Sequence, residues 1–168
     1  MDLVIGPVET AAGVFGALVT PRGLARLSFP GESLDVCRAF AKRWWPNASL
    51  LDDDGRLQPI RSQLVAYFRG ELREFSLALD MQGTPFQQQV WVALQQVPFG
   101  QTCSYAAIAQ TIGRPTATRA VGRANGANPV PVVVPCHRII GSSGKLVGYA
   151  GGLAIKSQLL QLEGILLA

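Results

Sequence analysis

Residues 129–140, PVPVVVPCHRII, place a cysteine, a histidine and an arginine directly behind one of the most apolar runs in the chain. The sequence contains a single histidine, and it is His137 in this stretch. Pro135 cannot donate a hydrogen bond to a sheet, so we expect a buried strand to end before Cys136 and the thiol to lie where that strand passes into a turn. Basic neighbours favour the thiolate form of a cysteine. The stretch therefore predicts a reactive thiol, although a free cysteine taken without its neighbours is more often buried packing material.

The composition limits the chemistry that this thiol can perform. A papain-like hydrolase takes its base from a histidine distant in the sequence, and this chain has no second histidine. The cysteines, Cys37, Cys103 and Cys136, are widely spaced and form no CxxC motif, so neither a dithiol redox site nor a zinc site is expected. A thiol with one adjacent histidine and one acid can still attack an electrophile once and remain modified.

Length and composition predict a globular protein. Of the 168 residues, 48% are hydrophobic and 15% are charged, which is typical of a compact fold. No apolar run approaches the roughly 18 residues that span a bilayer, and the N-terminus, MDLVIGPVET, has no basic segment of the kind that begins an export signal. We therefore expect a cytoplasmic protein with free thiols and no membrane attachment.

Charge is distributed unevenly along the chain. Residues 1–82 hold nine basic and ten acidic residues, whereas residues 83–168 hold six basic residues and one acid, Glu163. A basic half of this kind is suited to a polyanion such as nucleic acid. Charge alone leaves open that this half is simply basic and solvated.

The front half predicts antiparallel hairpins and two helices. Alternating apolar residues around Gly and Pro turns indicate strands, and helical spacing indicates helices, one capped by Ser33 and one ended by Gly70. The predicted strands are LVIGPVE (3–9), VFGALVT (14–20), LARLSFP (24–30) and FSLALD (75–80), and the predicted helices are 33–44 and 57–69. The acidic run 52–55 is expected to be a solvated loop.

A linker over residues 81–85 leads to a helix-rich back half. The predicted helices are 86–97, 104–112, 116–126 and 154–162. The second and third are separated by Gly113-Arg114-Pro115, a short turn typical of a helix-turn-helix. The sequence thus predicts an α+β fold: a mixed α/β N-terminal domain with antiparallel hairpins (1–82), and a mostly helical C-terminal domain with a helix-turn-helix (83–168).

Three stretches of the back half together resemble one known family. They read PFQQQVWVALQQVPFGQTCSY (85–105), TATRAVGRANGANPVPVVVPCHRII (116–140) and GYAGGLAIKSQLLQLEG (148–164). In their order, and above all in the PCHR core, they resemble the C-terminal domain of the O6-alkylguanine-DNA alkyltransferases, also called methylated-DNA–protein-cysteine methyltransferases. The resemblance covers about half of the chain. The front half fits the family's N-terminal domain in size and hairpin content, but its motifs are weak.

The resemblance implies five catalytic residues. Cys136 would attack the alkyl carbon on guanine O6, and His137 would take the thiol proton through a bridging water. Glu163 would orient and charge-balance the histidine, Asn128 would brace the turn that carries the cysteine, and the Tyr105 hydroxyl would hydrogen bond to guanine N3. From the residues alone, a solvated helix-end acid at Glu163 and a packing role for Tyr105 remain alternatives.

The resemblance also implies that the second helix of the helix-turn-helix binds DNA in the minor groove. Its many Gly and Ala residues make it slim, which suits close approach in a narrow groove, and it lacks the side chains of a base-reading helix. Arg119 would fill the space left by a flipped nucleotide, and Arg123 would contact phosphate. The expected DNA-binding residues are Thr116, Arg119, Ala120, Arg123 and Gly126.

The base pocket is expected to be walled by Tyr149, Ala150, Gly151 and Ile139. Some relatives carry Ser at the position of Ala150, so one hydrogen bond near O6 is expected to be missing. Arg138 is expected to form a structural ion pair or a helix-end contact. Neither a cofactor nor a structural metal is expected, since some relatives bind zinc through Cys and His ligands and this chain has only His137.

Taken together, the resemblance implies a monomeric, single-turnover DNA repair methyltransferase that restores O6-alkylguanine in double-stranded DNA and, more weakly, O4-alkylthymine. Two alternatives belong to other classes. A lesion sensor of the alkyltransferase-like type would bind without repair, but such proteins lack the cysteine. A regulator coupling alkylation to transcription would carry extra domains with further cysteines.

Overall fold

The computed structural model describes residues 1–141, 144, 146 and 148–165. The chain divides into two compact units, Met1–Gln82 and Gly83–Ala168. The first is a sheet with two helices, and the second consists mainly of helices. The predicted α+β class is confirmed. In the described part of the chain, no helix has the length and apolar composition needed to cross a bilayer.

A four-stranded sheet forms the centre of the first unit. Its strands are β1 (Asp2–Thr10), β2 (Gly13–Thr20), β3 (Gly23–Ser28) and β4 (Ser49–Leu51), in the spatial order β3-β2-β1-β4. The predicted hairpins are present, since β1 pairs antiparallel with β2 and β2 with β3. At the second hairpin a Cβ on Gly23 would collide with the Ala78 carbonyl, and the φ of +146° also excludes other residues. β4 was not predicted; it pairs parallel with β1.

Two helices complete this unit. Helix α1 (Asp35–Trp44) packs its buried residues Cys37 and Ala41 against Leu3, Leu18 and Ala25 of the sheet. Helix α2 (Asp54–Phe68) buries a stripe at helical spacing, formed by Leu57, Ile60, Leu64 and Tyr67. Both predicted helices are therefore confirmed, with shifted ends.

Three predictions for this unit are wrong in detail. The acidic run is not all loop, because Asp53 is the N-cap of α2 and Asp54 lies in its first turn, where the helix dipole favours a negative charge. The N-cap of α1 is Leu34, while Ser33 accepts a hydrogen bond from the Asp35 amide at 3.1 Å. Residues 75–80 form no strand, because their pairing is limited to one bridge between Leu79 and Leu24.

Within its described residues the second unit contains four α-helices, a one-turn 3₁₀ helix and one short parallel strand pair. The helices are α3 (Pro85–Leu94), α4 (Tyr105–Thr111), α5 (Thr118–Gly126) and α6 (Leu153–Leu162), and the strands are β5 (Cys103–Ser104) and β6 (Ile139–Ile140). Thr84 and Gln87 form a capping box that starts α3. Trp91 on α3 is buried and donates from Nε1 to the Ala124 carbonyl of α5 at 2.9 Å, which ties α3 to the helix-turn-helix formed by α4 and α5.

The apolar run before the cysteine is not the buried strand that the sequence predicts. Residues 129–135 form a tight turn with one bridge between Pro131 and Val134. Val132 has a φ of +74°, which is strained for a β-branched residue. Prolines at three of the seven positions remove the amide donors that a strand ladder needs. Cys136 therefore follows a buried turn and not a strand.

Candidate active site and DNA-facing helix

The candidate nucleophile lies at the start of a one-turn 3₁₀ helix, Cys136–Arg138, that follows this buried turn. The Cys136 amide donates to the Val134 carbonyl at 2.8 Å, and the Arg138 amide donates to the Pro135 carbonyl at 3.0 Å. Ile139, the first residue of β6, then pairs with Cys103 of β5. Cys136 is only 4% exposed, so a reacting group must be brought to the sulfur.

Asn128 holds the turn together from inside. Its Nδ2 donates to the Val134 carbonyl at 2.9 Å, and its Oδ1 accepts from the Val130 amide at 3.0 Å. The residue is buried. One side chain therefore ties both ends of the strained segment that precedes Cys136.

Glu163 is fully buried at the end of α6 and accepts hydrogen bonds from three residues. Oε2 accepts from His137 Nε2 at 2.7 Å and from Arg138 Nη2 at 3.0 Å. Oε1 accepts from Arg138 Nε at 2.7 Å and from the Gly100 amide at 3.3 Å. The alternative of a solvated helix-end acid is therefore wrong: this carboxylate is paired inside the protein.

Arg138 has a structural place in this network. Besides its two bonds to Glu163, its Nη1 donates to the Val97 carbonyl at 2.6 Å, and its guanidinium lies 5.8 Å from the centre of the Phe99 ring. A buried charge of this kind needs a partner of opposite charge and satisfied donors. The predicted structural ion pair is confirmed.

His137 is a neutral base in this setting. It is completely buried, and burial lowers the pKa of its imidazole although the carboxylate of Glu163 acts in the opposite direction. The Nε2–H donates to Glu163, which assigns the tautomer and leaves the Nδ1 lone pair as an acceptor. Within the described residues, Nδ1 has no hydrogen-bond partner. The histidine is therefore able to take a proton.

The thiol itself is protonated at rest, contrary to the expectation that its basic neighbours favour the thiolate. Burial raises the pKa of Cys136, and the nearby side chains of Asn128 and Tyr149 together with the charge of Lys156 only partly oppose this rise. The adjacent basic residues do not stabilise a thiolate, because His137 is neutral and Arg138 is paired with the Glu163 carboxylate. Removal of the thiol proton therefore has to accompany the reaction.

Tyr105 brings a phenol close to the nucleophile. It opens α4, whose N-cap Ser104 accepts from the Ala107 amide at 3.0 Å. Burial raises the pKa of Tyr105, and the nearby Cys136 raises it further. The ring also lies over Gly122 of α5, where an added Cβ would be 3.8 Å from two ring carbons. The first turn of the helix-turn-helix thus borders the cysteine.

Helix α5 has a buried side and an exposed side, and most of the predicted DNA-binding residues are exposed. Val121, Ala124 and Asn125 are buried, Ala120 is half-buried, and the remaining predicted residues, Thr116, Arg119, Arg123 and Gly126, are exposed. Thr116 precedes the first helical residue, Thr118, so it belongs to the turn between the helices. Within the described part of the chain, Arg119 has no hydrogen bond or ion pair, although it lies at the helix end that disfavours a cation.

The four predicted pocket residues differ in how exposed they are. Tyr149 and Gly151 are half-buried and Ala150 is exposed, just before α6. The Tyr149 side chain lies close enough to the Cys136 thiol to lower its pKa. Ile139 is completely buried beside the 3₁₀ turn, so in this structure only the other three present surface.

Two family profiles match the chain. The 6-O-methylguanine DNA methyltransferase DNA-binding domain matches residues 85–165, and the ribonuclease-like domain of the same family matches residues 16–81. Among curated relatives, the methylated-DNA–protein-cysteine methyltransferase of Mycobacterium leprae is 55% identical over 163 residues, which cover 97% of this chain and 89% of that protein. The chain belongs to the 6-O-methylguanine DNA methyltransferase family. The predicted family and enzyme class, a DNA–protein-cysteine methyltransferase, are confirmed.

Solved structures agree with this assignment. The crystal structure of Mycobacterium tuberculosis O6-methylguanine methyltransferase is 42% identical to this chain, with a TM-score of 0.81 over 96% of this chain and 92% of that one. The Mycobacterium tuberculosis protein in complex with DNA is 40% identical, with a TM-score of 0.81 over 97% of this chain and 92% of that chain. The fold of the methyltransferase is therefore shared with proteins of this family.

Sequence reasoning missed two buried polar residues of the methyltransferase site. Lys156 on α6 is completely buried and donates from Nζ to the Ile139 carbonyl at 2.6 Å, and its charge lowers the pKa of Cys136. Leu159 and Leu160, three and four positions later, already indicate that Lys156 lies on the inner face of α6. Asn125 on α5 donates to the Cys136 carbonyl at 3.4 Å. In the sequence it is one polar residue in a Gly/Ala-rich helix.

Proposed function

We propose that this protein repairs O6-alkylguanine in double-stranded DNA by moving the alkyl group to its own Cys136, once per molecule. The observation that carries the proposal is the buried contact between His137 and Glu163, which leaves Nδ1, in the residue that follows the thiol, as an acceptor with no partner among the described residues. The best supported role for such an arrangement is one proton transfer coupled to one nucleophilic attack.

The proposed step is a direct displacement at the alkyl carbon. The Cys136 sulfur forms the new S–C bond as the C–O6 bond breaks, and the electron pair of that bond leaves with guanine. His137 takes the thiol proton, and guanine leaves as an anion. The anion then takes one proton from water and the imidazolium of His137 returns one to water, so protons and charges balance. The product is a thioether, which water does not hydrolyse, so the protein is consumed.

Tyr105 is proposed to stabilise the leaving group. As the C–O6 bond breaks, negative charge builds on the purine, and a hydroxyl hydrogen bonded to guanine N3 stabilises that charge. The phenol is half-buried and close enough to Cys136 for the two groups to interact electrostatically. This supports a position next to the reacting base.

Burial of the thiol supports extrusion of the target base from the duplex. With Cys136 at 4% exposure, a base that stays stacked cannot reach the sulfur, so the nucleotide must leave the helix. We propose that α5 lies in the minor groove, that Arg119 occupies the vacated space and that Arg123 contacts phosphate. Thr116, Ala120 and Gly126 are proposed to lie along the same DNA-facing side, with the protein acting as a monomer.

We propose that the segment just before α6 forms part of the pocket for the extruded base. Tyr149, Ala150 and Gly151 would line the site of the extruded base, with Ile139 buried beneath them. We extend the proposal to O4-alkylthymine at a lower rate, because a pyrimidine fills less of a site sized for a purine. The three free thiols suit a reducing compartment such as the cytoplasm.

The proposal is tested by weighing the intact protein after incubation with a duplex that contains one O6-methylguanine. We expect a gain of one methyl group per molecule, located on the peptide that contains Cys136, and no gain for Cys136→Ala. An unmodified duplex serves as the control. Unchanged mass with tight binding to the lesion would replace the repair proposal with a lesion sensor, and neither mass gain nor binding would leave Cys136 as packing.

The pH dependence of methyl transfer is expected to have an acid limb below about pH 6.5, the value of an ordinary histidine. Burial lowers the pKa of His137, and only the neutral ring can accept the thiol proton, so the rate falls as pH drops through that lowered pKa. In His137→Gln the acid limb should disappear. Because the pKa of Cys136 is raised, the remaining rate should climb about tenfold per pH unit through neutral and mildly alkaline pH.

Single-turnover rates measured from pH 5 to 9 check this prediction. Mass spectrometry after each time course confirms that the same cysteine is modified. Identical profiles for the wild type and His137→Gln would contradict the role of His137 as the base.

A further inference from the structure

Asn125 connects the DNA-facing helix with the nucleophile. It lies on α5, is 5% exposed, and donates from Nδ2 to the main-chain carbonyl of Cys136 at 3.4 Å. Asn128 already braces the turn before the cysteine. Because Asn128 already supports this turn, the bond from the buried Asn125 amide to Cys136 has to be explained separately.

Asn125 also reaches the phenol of Tyr105. The Tyr105 ring lies over Gly122, and Asn125 follows three positions later on the same side of α5. The Asn125 side chain lies within hydrogen-bonding reach of the Tyr105 hydroxyl, and this contact lowers the pKa of that phenol, against the larger effect of burial. A bond that lowers a phenol pKa favours the phenolate, so the amide is the donor and the phenol oxygen the acceptor.

The two contacts account for the whole donor capacity of the amide. Its NH₂ group has two hydrogens: one donates to the Cys136 carbonyl, and the other remains for the nearby Tyr105 oxygen. The Oδ1 atom is buried and has no hydrogen-bond partner among the described residues, so the nitrogen end makes the contacts. A phenol oxygen that accepts from Asn125 keeps its own hydrogen for a further acceptor, and accepting a hydrogen bond makes a hydroxyl a stronger donor.

We propose that Asn125 is a positioning residue that directs the Tyr105 hydroxyl toward the base being dealkylated and fixes it relative to Cys136. The inference rests on the proposed function, in which Tyr105 stabilises guanine as the leaving group. Its consequence is specific: Asn125 acts through Tyr105 and matters only when the leaving group needs a hydrogen-bond donor.

A double-mutant cycle on methyl transfer from an O6-methylguanine duplex tests this inference. Asn125→Leu removes both donors at similar volume, and we expect it to slow single-turnover transfer about tenfold, the scale of one hydrogen bond to a developing charge. In the Tyr105→Phe background the same change is expected to cost less than about twofold, because coupled residues are not additive. Equal costs in both backgrounds would overturn the inference.

A second substrate separates positioning from damage to the active site. Iodomethane alkylates a thiol with iodide as the leaving group and needs no donor, so methylation of Cys136 by iodomethane should be slowed less than about twofold in Asn125→Leu. A tenfold loss with both reagents would mean that Asn125 only supports the fold around the cysteine. Asn47→Leu, which alters an exposed asparagine, is the matched control for both reagents.

Two further measurements keep the outcomes distinct. If Asn125→Leu does not fold, as judged by its thermal unfolding, Asn125→Ala removes the same donors without added bulk and takes its place in the cycle. No methyl transfer by the wild type would refute the proposed function itself. An active wild type with additive mutations would refute only the role of Asn125.

Discussion

Glu163→Gln is expected to slow methyl transfer about a hundredfold, within the range that one acid–base group contributes to catalysis. The carboxylate fixes the tautomer of His137 through a 2.7 Å bond to Nε2 and balances the positive charge that the ring gains with the thiol proton. A neutral amide does neither as well. Because the pKa of His137 is already lowered by burial, loss of the carboxylate weakens the base further.

The same substitution is expected to lower the free energy of unfolding by about 3–5 kcal/mol, the cost of leaving a buried charge without its partner. Arg138 would lose its charged partner and at least one of its two hydrogen bonds to residue 163 while its guanidinium stays buried. Chemical denaturation measures this effect. Asp54→Asn is the matched control, because it neutralises a carboxylate paired with Arg61 at the surface and should cost less than about 1 kcal/mol.

Rate and stability are separated by working well below the unfolding transition of the variant. Single-turnover transfer is then measured on folded protein, and the wild type provides the reference under the same conditions. Equal rates for the two proteins would show that Glu163 has a purely structural role. Equal stabilities would contradict the reading of Arg138 and Glu163 as a buried pair that depends on both members.

Arg119→Ala is expected to slow repair of an O6-methylguanine duplex about a hundredfold, because an extruded nucleotide costs a few kcal/mol of lost stacking and pairing that an inserted side chain helps to offset. Arg119 is exposed and, within the described residues, has no partner to lose. Its removal should therefore leave the folded protein and the thiol chemistry intact.

The free base O6-methylguanine provides the decisive comparison. It needs no extrusion, so its reaction with Arg119→Ala should stay within about twofold of the wild type if that side chain acts only on the duplex. Arg123→Ala, on the same helix, should weaken duplex binding mainly through the salt dependence of one phosphate contact. A hundredfold loss on the free base as well would place Arg119 in the chemistry or the fold.

The helices of the back half were predictable because their signals are local. Thr84, Pro85 and Gln87 mark the start of α3 within four residues. Helical spacing on both sides of one short turn predicts α4 and α5. The ends were less accurate: Thr116 precedes α5. Strand predictions failed at 75–80 and 129–135, because apolar extended segments look alike in sequence whether or not a neighbouring strand is available to pair with them.

The sequence by itself determined the family, and it predicted the nucleophile and the helix proposed to face DNA, because PCHR, the glycine- and alanine-rich helix and their order are written in adjacent residues. Only the tertiary structure decided the state of the thiol and the fate of the carboxylate. His137 and Glu163 are 26 residues apart, and Asn125 meets both Tyr105 and Cys136 only after α5 packs. Burial and hydrogen-bond partners are properties of the packed chain, and they alone set which groups are charged.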